Sequence, residues 1–118
     1  MSQAQIYLSI APLSQHEAAA AANAVAALDT KVVRLIRQPL AGGMCLAAIE
    51  AERAVRHESP VWCLERLAAG IWNELGRYTR ITANWQEGEE EDEMWWCLEE
   101  ADYRRIMSSF RLTARRRV

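Results

Sequence analysis

The chain has no cysteine pair at metal-ligand or redox spacing: its three cysteines, Cys45, Cys63 and Cys97, are odd in number and lie far apart. That excludes a disulfide framework and a zinc site, and it leaves reduced thiols expected to behave as small buried apolar groups. Histidine is nearly as scarce. His16 and His57 are the two present, and neither has a carboxylate or thiol at catalytic spacing. Glu58 follows His57 directly, but adjacent side chains of an extended segment point to opposite sides. General acid–base chemistry needs a positioned partner. No catalytic residue, metal or cofactor is therefore expected, and the chain reads as a non-enzyme with two exposed histidines.

Long apolar runs are also missing. The most apolar stretch, residues 18–28, is alanine-dominated, too short to span a bilayer and interrupted by Asn23. Residues 1–5 lack a basic signal-peptide start, so a cytoplasmic protein without membrane contact is expected. The Gly42-Gly43 pair belongs to no phosphate-binding loop pattern and reads as turn chemistry. A formal charge of −2 is too small to steer binding across the whole surface. Lysine is almost absent, with Lys31 the single one against many arginines, a usage that suggests a GC-rich bacterial or phage origin and no particular activity.

What is present describes one ordinary domain. The 118 residues are 51% hydrophobic and 25% charged, inside the range of globular chains that bury a continuous core without a staple. Ile6, Leu8 and Ile10 alternate with Tyr7 and Ser9, which predicts a strand over 5–11. Ser14-Gln15-His16-Glu17 is a capping box, with Leu13 and Ala18 placed as its hydrophobic staple, and the helix it opens should run to about Leu28. Val32, Val33, Leu35 and Ile36 predict a second strand, closed by Pro39 and the glycine pair. Residues 44–52 are composed of helix formers. They follow a turn and alternate, however, and a hairpin strand explains Gly42-Gly43 better than another helix does.

Ser59-Pro60 and Gly76 bracket a helix over 60–75 with an N-cap, a proline at the first helical position and a C-terminal glycine. Its stripe is Val61, Leu64, Leu67, Ala68, Ile71, Trp72 and Leu75. From Tyr78 to Trp85 the period becomes two, with Ile81, Ala83 and Trp85 on one face and Tyr78, Arg80 and Thr82 on the other. An acidic turn over 87–93 precedes a strand in which Met94, Trp96 and Leu98 alternate with Trp95 and Cys97. A last helix carries Tyr103, Ile106, Met107 and Phe110, and residues 111–118 read as a flexible basic tail. The expected fold is α+β. The first six elements follow the split βαβ, or ferredoxin-like, arrangement, with an added hairpin strand and a terminal helix. Such a sheet leaves one face open unless the last helix or another subunit covers it.

Two features stand out as candidates for function. Nine of the sixteen acids lie between Glu87 and Asp102, and no Lys or Arg interrupts them. The sign then reverses through Arg104, Arg105, Arg111, Arg115, Arg116 and Arg117. An acidic hairpin tip at Glu89, Glu90, Glu91, Asp92 and Glu93 can enter a basic groove, while an arginine-rich end can bind phosphate backbones. The second feature is Trp95-Trp96. Consecutive strand residues face opposite sides, so with Trp96 in the core Trp95 lies on the open face, where an uncovered indole marks an interface. The leading expectation is a protein-interaction module that uses Trp95 and the acidic hairpin, with a second copy covering the open face as a homodimer. The alternative is nucleic-acid binding through the arginine-rich helix and tail.

Overall fold

In a computed structural model the described residues are 3–55, 57–88 and 94–115, the last six of these by backbone alone. They form an α+β fold of one five-stranded antiparallel sheet and three helices. The chain runs through β1 (Gln3–Leu13), α1 (Gln15–Ala26), β2 (Lys31–Pro39) and, after a one-turn 3-10 segment at Ala41–Gly43, β3 (Cys45–Ala54). It continues through α2 (Pro60–Leu75), β4 (Arg80–Glu87), β5 (Met94–Leu98) and α3 (Glu100–Arg115). In space the strands lie in the order β2-β3-β1-β4-β5, each antiparallel to its neighbours.

Alternation decides which side of each strand is buried. Ala4, Ile6, Leu8 and Ile10 of β1, Cys45, Ala47, Ile49 and Ala51 of β3, and Ile81, Ala83 and Trp85 of β4 all sit under the helices. β3 is a strand although its composition favours a helix. It lies between β1 and β2 and pairs with both along its length, and two ladders outweigh a propensity difference of a few tenths of a kcal/mol per residue, about what separates ordinary residues.

The helix caps form as the local sequence dictates. The Glu17 N–H donates to Ser14 Oγ at 3.1 Å, and the Ser14 N–H donates to the Glu17 carboxylate at 2.9 Å. α1 ends at Ala26, two residues before the expected Leu28, because Asp29 takes a left-handed φ of 57°. Arg53 then gathers the freed groups: its Nη1 donates to the Leu28 carbonyl at 2.6 Å and to Thr30 Oγ1 at 3.2 Å. This places a cation just past the C-terminal end of α1, where it favours the helix dipole. α2 opens on Ser59 and closes on Gly76, whose φ of 73° is the left-handed conformation glycine adopts without strain. A side chain at Gly70 would stand 2.9 Å from Leu28 Cδ1, so glycine lets the end of α1 approach α2. Val61, expected in the buried stripe, is exposed, since the first turn of α2 extends past the core; its neighbour Trp62 is exposed too, under the Arg66 guanidinium at 4.7 Å.

Tyr78 departs from its expected place in a strand. β4 begins at Arg80, and the Tyr78 ring packs beside Trp72 of α2 and Tyr103 of α3, with centroids 5.9 and 5.6 Å away. Its hydroxyl donates to the Leu98 carbonyl, and Trp72 Nε1 donates to the Thr79 carbonyl at 2.8 Å. This aromatic cluster, with Ile106 and Met107 buried behind it and Arg105 bridging to Glu65 of α2 at 2.8 Å, fixes α3 beside α2. The helical backbone of α3 continues to Arg115, while Phe110 belongs to the part without described side chains. All three helices therefore share one face of the sheet.

Candidate functional site

The other face of the sheet is uncovered by any described helix, and strand register determines what it displays. Arg34, Glu50, Tyr7, Asn84 and Trp95 are successive Cα partners across β2, β3, β1, β4 and β5, a row that runs from one edge to the other. Ile36, Ala48, Ser9, Thr82 and Cys97 form the next row. Among them Trp95 is 62% exposed, Ile36 44% and Tyr7 39%. Trp95 is the most exposed large apolar side chain among the described residues.

Asn84 is the exception in the row. Flanked in register by Tyr7 and Trp95, it is only 2% exposed, and its Nδ2 has no hydrogen-bond partner among the described residues. A buried amide N–H₂ without an acceptor is costly and uncommon in a folded chain. At the β2 end of the row the Arg34 guanidinium stands 3.8 Å from the Glu50 carboxylate.

Cys97 corrects an expectation. The sequence places it among small buried hydrophobes, yet it is exposed, because on β5 it shares the phase of Trp95 and not that of Trp96 and Leu98. It also has the basic neighbour that the linear sequence does not show: Arg80 Nε, from β4, donates to its sulfur at 3.2 Å, and Arg80 Nη2 lies 3.6 Å from Glu99. Cys45 and Cys63 are buried as expected. The Cys63 thiol donates to Glu58 Oε2 at 2.8 Å, and burial, reinforced by that carboxylate, pushes its pKa up to about 11. At neutral pH it is a thiol and no nucleophile. Glu58 pairs with Arg53 at 2.9 Å, not with His57, and both histidines are exposed.

Of the residues singled out in the sequence, the structure brings Trp95 onto the open face. Glu89, Glu90, Glu91, Asp92 and Glu93 lie outside the described residues, as do Arg116 and Arg117, and the Arg111 and Arg115 side chains are not described. Arg104 and Arg105 are each engaged by carboxylates of the same chain: Arg104 by Glu100 at 3.0 Å, Arg105 by Asp102 at 3.4 Å as well as Glu65. Sequence reasoning missed Arg34, Glu50, Tyr7 and Asn84 as one group. Their alternation phase was readable, but their adjacency depends on pairings between distant strands.

Elsewhere, a cleft of about 390 Å³ at the end of α1 is lined by Asp29, Thr30, Lys31, Glu52 and Arg53 among others. Its two cations and two carboxylates balance, which selects for neither anion nor cation. Among the described residues no cluster of three or more His, Cys, Asp or Glu side chains is placed to hold a metal, and no described helix is long and apolar enough to cross a membrane. Comparison with protein-family models, curated proteins and solved structures finds no match to this chain.

Proposed function

We propose that this chain is a non-enzymatic protein-interaction module of the cytoplasm, and that it binds through the open face of its sheet. The frame is read as ferredoxin-like: the β-α-β-β-α-β order of the first six elements and the β2-β3-β1-β4 strand order are those of a split βαβ unit, to which β5 and α3 are added. That frame hosts many unrelated functions, so the site has to carry the argument. The observation that carries it is Trp95, 62% exposed on a face that the three helices leave uncovered and aligned with the exposed Tyr7. Aromatic side chains of this kind supply most of the binding energy where they occur at the centre of interfaces. The reading of a nucleic-acid protein is weaker on charge, since Arg104 and Arg105 already face acids of their own chain.

In-cell photo-crosslinking tests the proposal. A benzophenone amino acid in place of Tyr7 keeps an aromatic ring on the open face, and the same group in place of the exposed Glu74 of α2 reports on the helical side. Adducts to protein at position 7, lost on Trp95→Ala and absent at position 74, are expected. Equal yields at the two positions, or adducts indifferent to Trp95→Ala, overturn it.

A further inference from the structure

We infer that the occupant of the open face is a second copy of this chain, seated by a twofold axis that runs along β1 between two facing sheets. This rests on the interaction-module reading and names its partner. β1 is the middle strand of the order β2-β3-β1-β4-β5, so rotation about it lays β1 on its own copy, β3 over β4 and β2 over β5. A surface that binds itself in this way must be complementary to its own reverse.

The rows satisfy that condition. Reversed, the row Arg34, Glu50, Tyr7, Asn84, Trp95 places Arg34 over the second copy's Trp95, Glu50 over its Asn84 and Tyr7 over Tyr7. Arginine over indole is a cation–π pair. The Glu50 carboxylate is thereby set over Asn84, whose Nδ2 has no acceptor among the described residues. The next row reversed sets Ile36 over Cys97, Ala48 over Thr82 and Ser9 over Ser9. Glu52 meets Gln86, so none of Arg34, Glu50 and Glu52 is set against its own sign. Aligned sheets cross at about 30°, which displaces a side chain about 10 Å from the axis by about 5 Å, within reach of arginine and tryptophan.

The area is sufficient for such a dimer. Five strands spaced about 4.8 Å apart, over about four rows of side chains, present roughly 500–600 Å² per copy. The pair would bury roughly 1,000–1,200 Å², at the lower limit for a specific interface. The dimer should accordingly be reversible and concentration-dependent.

Sedimentation of the full chain reads the outcome. The mass is expected to rise from 13.4 kDa toward twice that value as concentration increases into the high micromolar range. Tyr7→Lys sets two ammonium groups face to face across the axis and should hold the chain monomeric. Trp95→Ala should do the same, and because this indole is mostly exposed, the variant keeps the test valid should Tyr7→Lys fail to fold. A dimer that survives Trp95→Ala with unchanged affinity refutes the inference. A wild-type chain that stays monomeric refutes it as well; if position 7 still crosslinks to a different protein in cells, the module reading stands and only the second copy is wrong.

Discussion

Replacing Arg77 with methionine should remove the main electrostatic tie between the start of α1 and the end of α2. Arg77 Nε and Nη2 donate to the two oxygens of Glu17 at 2.9 and 2.8 Å, and Nη2 also donates to the Pro12 carbonyl at 2.8 Å. With the Ser14 N–H added, the guanidinium holds the Glu17 carboxyl at about 2, well below its ordinary 4.5. At about 1.36 kcal/mol per pKa unit the shift corresponds to about 3 kcal/mol. The Arg77 side chain is 39% exposed and that of Glu17 22%, so solvent screening reduces the contribution to about 1–2 kcal/mol. Because the folded-state pKa is depressed, this stability is fully present above about pH 4.5 and is lost as pH falls toward about 2. Urea unfolding of wild type and Arg77→Met across this window measures it. The variant should be less stable at neutral pH by the screened amount, and the two curves should converge as Glu17 protonates. Parallel acid limbs, with the same stability difference at both ends of the window, would show that Arg77 acts through packing or Pro12 and that the Glu17 pair contributes nothing.

Two other perturbations are similarly direct. Gly76→Ala should cost about 1 kcal/mol through backbone strain alone, because φ there is 73° and, beyond its chain neighbours, no atom of the described residues lies within 4 Å of the added carbon; a shift in urea midpoint at constant slope is the expected signature. Alkylation in the native state at neutral pH should modify Cys97 and spare Cys45 and Cys63, which are buried, the latter with its thiol pKa at about 11. Intact mass should show one label per native chain and three in denaturant, and a second native label would contradict the burial assigned to Cys63.

The two faces of the sheet carry different chemistry. Toward the helices the strands present Ile, Ala, Leu and Trp85 in close packing; on the opposite side lie Tyr7, Ser9, Thr82, Asn84 and Trp95, with Arg34, Glu50 and Arg80 on β2, β3 and β4. β5 divides its two indoles between the faces, with Trp96 half-buried against the core and Trp95 exposed.

Much of the architecture was legible in the sequence because it rests on short-range relations. Ser14 and Glu17 are three residues apart, Ser59-Pro60 and Gly76 bracket a single helix, and Ile81, Ala83 and Trp85 declare their face by period alone. These are contacts along one element, and the chain makes them wherever that element forms. Tyr78 escaped this logic because the ring belongs to a cluster built by α2 and α3, and its local alternation with Ile81 was coincidental. Cys97 escaped it because its neighbour Arg80 is seventeen residues away, on the adjacent strand. The site depended on tertiary structure most of all. Arg34 and Trp95 belong to one row only because β3, β1 and β4 pair between them in register, and that register is set by which apolar face of each strand the helices bury.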